Sequence, residues 1–195
     1  MKLNLGFLAS HNGSNVEAII NNIELGNLEA QPKVIISNNP DARILNLGRN
    51  KQIPSYCINK NNTLNPNELI FQTLKNYDLD LIILAGYMKK IGNNIIIDYS
   101  NKILNIHPSL LPKYGGEGMY GMRVHEKVIG SDDNESGATI HLVTEEYDQG
   151  RILAQYKVPR YELDTVSTLA ERVLRIEHVL YSQTLIEIQK GIICL

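Results

Sequence analysis

The run ILNIHPSLLPKYGG, residues 103–116, sets one asparagine and one histidine in an otherwise apolar segment that ends in proline. Asn105 and His107 are two residues apart, so an extended strand points both side chains to one face. A neutral amide donor and an imidazolium aimed at one point form an oxyanion site, the arrangement that stabilises a tetrahedral acyl-transfer intermediate. Pro108 and Pro112 stiffen the chain behind the pair. A solitary histidine here would read as a hydrogen-bonded core residue; the neighbouring asparagine is what favours chemistry.

Three further places carry residues of the right types. The stretch ASHNGSNVEAII (9–20) follows an apolar strand and opens a helix, whose unpaired N–H groups and dipole favour an anion. Ser14-x-x-Glu17 in the same stretch also matches a capping box, which needs no ligand. The stretch lacks the lysine of a P-loop and the G-x-G-x-x-G spacing of a dinucleotide loop. Asp148, in TEEYDQG, reads locally as a turn aspartate; brought to His107, it would raise the imidazole pKa and fix its orientation. Glu177, in LAERVLRIEHVLYSQTL, has Val173, Leu174, Leu180 and Tyr181 as helical neighbours. A carboxylate in such a stripe requires a partner, either a structural Arg or Lys or a cationic or polyhydroxyl ligand. The five histidines, His11, His107, His125, His141 and His178, show no close ligand pairing. No metal site is expected, and structural roles suit most of them.

These residues need elements to hold them. Strands are expected over 3–9, 33–37, 54–58, 79–86 and 102–106, each a short apolar segment between turn residues. Helical period fills the gaps in NVEAIINNIELG, DARILNLGRNK, NPNELIFQTLKNY and KKIGNNIIIDYS. Strands apolar on both faces, alternating with helices, imply an α/β, doubly wound, mainly parallel sheet covered on each side. Residues 112–137 are rich in Gly and polar residues and read as one long loop. GATIHLVTEEYDQGRILAQYKVPRY reads as two antiparallel C-terminal strands with a turn at Tyr147–Gly150. A long C-terminal helix is expected from about Asp164 to about Lys190, with Gly191 as its stop.

The bulk numbers bound the possibilities. At 195 residues and 43% apolar composition the chain suits a single domain, 1–195, with a real core. Net charge is -2 with no basic block, which argues against a nucleic-acid partner. Cys57 and Cys194 fit no C-x-x-C pattern, so neither a disulfide framework nor a zinc site is expected. No segment reads as a signal peptide or reaches membrane-span length. A cytoplasmic protein with small-molecule partners, monomeric or homodimeric, follows as the expectation.

Taken together, NGSN, ILAGYMKKI, LNIHPSLLPKYGG, GATIHLVTEEYDQGRILAQ and ERVLRIEHVLY give a nearly end-to-end resemblance to the glycinamide ribonucleotide formyltransferases of purine synthesis. The Asn-x-His-Pro-Ser-x-Leu-Pro element is specific for folate-dependent formyl transfer as a class. The resemblance implies a formyltransferase-type fold and 10-formyltetrahydrofolate as co-substrate, with no metal. It implies catalytic positions at Asn105, His107 and Asp148. It implies a ribonucleotide site at Asn12, Gly13, Ser14, Asn15 and Glu177, the phosphate on the helix N-terminus and Glu177 on ribose hydroxyls. It implies a folate pocket walled by Tyr87, Met88, Lys89, Lys90 and Ile91, by Val143, Thr144, Glu145 and Tyr147, and by Asn105.

The chain departs from that family's pattern in places. His11 stands where glycine is usual, Lys89 where Arg is common, and Leu174 where a polar or basic residue is common. Residues 51–71 contain no Arg for a folate tail, leaving Lys60 as a substitute. Among folate-dependent relatives, methionyl-tRNA formyltransferases add a C-terminal domain and basic surface, and deformylases add an N-terminal domain. Sugar-nucleotide formyltransferases lack the NGSN loop. A non-catalytic binding module of the same fold predicts loss of a catalytic residue, and all three stand.

Overall fold

The computed structural model describes residues 2–195. Seven strands form one sheet, β1 Leu3–Leu8, β2 Ala30–Ser37, β3 Ser55–Cys57, β4 Leu81–Leu84, β5 Ile103–His107, β6 Glu135–Leu142 and β7 Ile152–Pro159. Six helices accompany them: α1 Ser14–Glu24, α2 Arg43–Asn50, α3 Pro66–Lys75, α4 Asn93–Asp98, α5 Met122–Ile129 and α6 Val166–Gln189. The strand order is β3-β2-β1-β4-β5-β6-β7. β1 to β5 pair in parallel, and β6 and β7 join antiparallel. The chain winds outward from β1 to β3 and returns on the other side at β4. The carboxyl ends of β1 and β4 therefore flank a switch point, where a crevice opens for ligands.

Both faces of the parallel strands are buried, as their continuous apolar runs require. Leu5, Phe7, Ile35, Leu81, Ile83, Leu104 and Ile106 pack under α1, α2 and α6. Their alternates Leu8, Val34, Ile36, Ile82, Leu84 and Ile103 pack under α3 and α4. α6 is seated by Leu169, Val173, Leu180, Tyr181 and Leu185. Its N-terminus closes with a reciprocal Thr165–Thr168 capping box, reinforced by Asp164 and Arg172 at 2.6 Å.

The doubly wound sheet, the antiparallel C-terminal pair and the long last helix match the expectation from sequence. Three local expectations do not. Residues 112–137 are not one loop but contain α5, which buries Val124, His125 and Val128. The Arg160 guanidinium donates to Ile129 O and Asp133 O and so satisfies carbonyls at its end. KKIGNNIIIDYS is helical only from Asn93, so Lys89–Ile91 is left in a loop. The turn between β6 and β7 is also wider than Tyr147–Gly150, with β6 ending at Leu142 and β7 starting at Ile152.

Candidate active site

A cleft of about 780 Å3 lies over the carboxyl ends of β1, β4 and β5. β5 delivers Asn105 and His107 to it from one face, opposite the buried Leu104 and Ile106. The register of β5 with β6 sets Asn105 across from His141. Asp148 reaches the same place from the wide turn after β6, its backbone in the left-handed region at φ 57°, a conformation asparagine and aspartate tolerate better than most residues.

The polar groups form a connected chain. Asp148 Oδ2 lies 3.5 Å from His107 Nδ1, and Asp148 Oδ1 lies 3.5 Å from His141 Nε2. Gly116 N–H donates to Asp148 Oδ2 at 2.9 Å, tying the loop before α5 to the carboxylate. His107 Nε2–H donates to the Tyr114 carbonyl at 2.7 Å, since a carbonyl only accepts. Asn105 Nδ2 sits 3.0 Å from His141 Nε2. His107 and His141 are 4% and 2% exposed, so these contacts act at low local dielectric.

Burial is the largest influence on His107 and pulls its pKa below the ordinary value; Asp148 and the Tyr114 carbonyl raise it without overcoming burial, and His141 lowers it further. The expectation that Asp148 raises the imidazole pKa has the right sign, but the net direction is down. Burial alone would raise the Asp148 carboxyl, yet the neighbouring His141, His107 and the Gly116 N–H hold it below the usual carboxylate range. Burial drives His125, on α5, down to about 4, with His107 adding to the effect.

At one end of the cleft lie Asn12, Gly13, Ser14, Asn15 and Glu177. The helix N-cap is Gly13, with φ 71° and no side-chain cap. The capping-box reading of Ser14 and Glu17 is therefore corrected: Ser14 already lies inside the helix, and no side chain takes the first N–H groups. Glycine is required at 13, because a Cβ there would collide with Ile44 and the backbone is left-handed. Glu177 is buried and accepts from Asn15 Nδ2 at 2.7 Å. Its partner is an amide rather than the Arg or Lys that sequence offered as one possibility. Burial raises its carboxyl, and the Asn15 N–H pulls the other way. Asn15 Oδ1, buried beside it, has no protein partner.

At the other end Tyr87, Met88, Lys89 and Tyr147 line the cleft. An adjoining recess of about 80 Å3 adds Lys90, Ile91, His141, Val143, Thr144 and Glu145, and shares Asn105 and Asp148 with the cleft. Lys90 Nζ stands 5.6 Å from the centre of the Tyr147 ring. Burial pushes the Tyr87 phenol up to about 12. The two ends are braced through Ser10, which accepts from Met88 N at 2.7 Å and donates to Asn38 Oδ1.

This arrangement of an amide, an imidazole and a carboxylate between an anion-ready helix end and an amphipathic wall suits acyl transfer. The family model described as formyl transferase matches residues 3–185. The chain belongs to the formyl transferase family. A chloroplastic phosphoribosylglycinamide formyltransferase of Vigna unguiculata is 42% identical over 91% of this chain and 58% of its own length. The chain thus spans less than two thirds of that plant relative's length. The phosphoribosylglycinamide formyltransferase of Haemophilus influenzae is 37% identical over 91% of this chain and 82% of its own. The crystal structure of the enzyme so named from Anaplasma phagocytophilum superposes with a TM-score of 0.89 at 33% identity, covering 98% of this chain and 88% of that one.

The candidate site residues singled out from sequence all line the cleft or its recess. Of the departures, His11 and Leu174 line the cleft too, whereas Lys60 lines neither space. Sequence reasoning missed four neighbours: His141 and His125, read as structural histidines, and Tyr114 and Gly116, lost in the supposed loop. Only the alternation of β6 signalled His141, and it pointed equally to a core position. Among the described residues no group of three or more His, Cys, Asp or Glu is placed to hold a metal ion, and no helix is long and apolar enough to cross a membrane.

Proposed function

We propose that residues 1–195 act as one domain that transfers the formyl group of 10-formyltetrahydrofolate to the amine of glycinamide ribonucleotide. The observation that carries the reading is the cluster of Asn105, His107 and Asp148 in one cleft, between the bare N-terminus of α1 and the Tyr87–Ile91 wall. The formyl-folate supplies an activated acyl carbon. On the protein side, the N–H groups of α1 from Ser14 onward take the phosphate, and Glu177 with Asn15 takes the ribose hydroxyls. Tyr87 to Ile91 and Val143 to Tyr147, with Asn105, hold the folate.

The substrate amine then attacks the formyl carbon. Asn105 and His107 donate to the oxygen that becomes negative in the tetrahedral intermediate, an interaction strongest in the transition state. Because burial lowers the His107 pKa, its charged form depends on Asp148 at 3.5 Å and on the negative charge that develops beside it. A proton returns through this imidazole to the leaving folate nitrogen, while Asp148 accepts the proton lost by the amine, through water. The same proposal takes the two small molecules as partners, no metal, a monomer or homodimer, and the cytoplasm as location.

The test is to follow folate product formation from 10-formyltetrahydrofolate with and without glycinamide ribonucleotide. Turnover that requires the ribonucleotide is expected. Equal turnover in its absence would replace transfer by hydrolysis, and no turnover in either case would overturn the reading.

A further inference from the structure

We infer that His141 is a positioning residue for the proposed transfer: it fixes which atom of the Asn105 amide faces the cleft. A carboxamide has a donor edge and an acceptor edge of nearly equal shape, and only a donor can stabilise an oxyanion. Something must hold it the right way round. The antiparallel register of β5 and β6 places His141 directly opposite Asn105, and the ring is 2% exposed.

The ring's own bonds determine its tautomer. His141 Nδ1 lies 2.9 Å from the Leu142 carbonyl oxygen, which only accepts, so Nδ1 carries a proton. A neutral imidazole has one N–H, and Nε2 therefore presents a lone pair. Asn105 Nδ2 stands 3.0 Å from that lone pair and donates one N–H to it. Turning the amide over would set Oδ1 against the lone pair, two acceptors facing each other in a buried site. The orientation that survives leaves Nδ2 with a second N–H for the cleft. Asp148 Oδ1 also faces Nε2, at 3.5 Å against 3.0 Å for the amide; a proton on Nε2 would serve that carboxylate and turn the amide over, so the protonation of Nε2 decides the inference. His141 touches no reacting atom in this account and acts through Asn105.

The inference rests on the proposed transfer, yet its first test does not require turnover. In 15N-labelled protein, the His141 ring, assigned by its loss in His141→Phe, should show Nδ1 protonated and Nε2 unprotonated. A protonated Nε2 would turn the amide over and overturn the inference. With ribonucleotide-dependent turnover in hand, His141→Phe should lower kcat about 10- to 100-fold, with both KM values within about twofold. His141→Gln, whose side-chain oxygen accepts the same N–H, should recover most of that loss. Wild-type kcat in the Phe variant, or equal losses in the Phe and Gln variants, would reduce His141 to a packing residue. Absence of wild-type turnover with the expected tautomer intact would instead overturn the proposed function alone.

Discussion

The two ends of the cleft are built from different material. The α1 end rests on the start of a helix and on a buried pair from two elements 162 residues apart, Asn15 and Glu177. The opposite wall rests on loops, and Met88, Lys89, Lys90 and Tyr147 are exposed. A helix terminus with a buried carboxylate is rigid and selective for one polar shape. Exposed loop side chains over an apolar floor adapt to a larger, partly apolar ligand and contribute less each. Under the proposed function, the difference places ribonucleotide selectivity in the core and spreads folate contact over the surface.

Breaking the buried end has the largest expected effect on binding. Glu177→Ala should raise KM for the ribonucleotide about 10- to 100-fold through the loss of charge-assisted bonds, with the folate KM within about twofold. It should also lower stability by about 1–3 kcal/mol, because Asn15 loses its acceptor. Parallel kinetics and urea melts check both. Equal changes in the two KM values would erase the distinction between the ends.

Acid should act next, and it should act through α5. His125 has a folded pKa of about 4 against an ordinary 6.5. Its contribution to stability is complete above pH 6.5 and is lost as pH falls toward 4, reaching about 3 kcal/mol at full extent. Melting temperatures across that interval should fall for the wild type and more shallowly for His125→Gln. Parallel slopes would exclude His125 as the source.

Gly13→Ala tests the helix end itself. Left-handed backbone and the Ile44 side chain both oppose a Cβ, so about 1–3 kcal/mol of stability should be lost. A melt unchanged from wild type would mean that the loop relaxes freely. The smallest effect is expected at the exposed wall, where Lys90→Ala removes one cation–π contact with Tyr147. That contact is worth about 0.5–1 kcal/mol of local stability, so the folate KM should rise by no more than about 2- to 5-fold.

What sequence made legible divides along similar lines. Asn105 and His107 stood out because a two-residue spacing in a strand fixes their shared face. The α1 loop stood out because a helix following a strand places its N-terminus at the sheet's ligand-binding edge. Asp148 was reachable only by resemblance, since 41 residues separate it from His107 and nothing local brings them together. His141 was hidden for another reason: in GATIHLV its alternation is that of any buried strand residue, and its pairing with Asn105 depends on an antiparallel register. α5 was hidden because eight residues between glycines bury only Val124, His125 and Val128, too short a stripe to show a period.

Asn105 lines both the cleft and the recess beside it, and it tests most directly the claim that the cluster with His107 and Asp148 performs the transfer. Steady-state kinetics of Asn105→Ala with both substrates varied should show kcat reduced about 100-fold or more, with the ribonucleotide KM near wild type and the folate KM changed far less than kcat. A near-normal kcat would contradict the account.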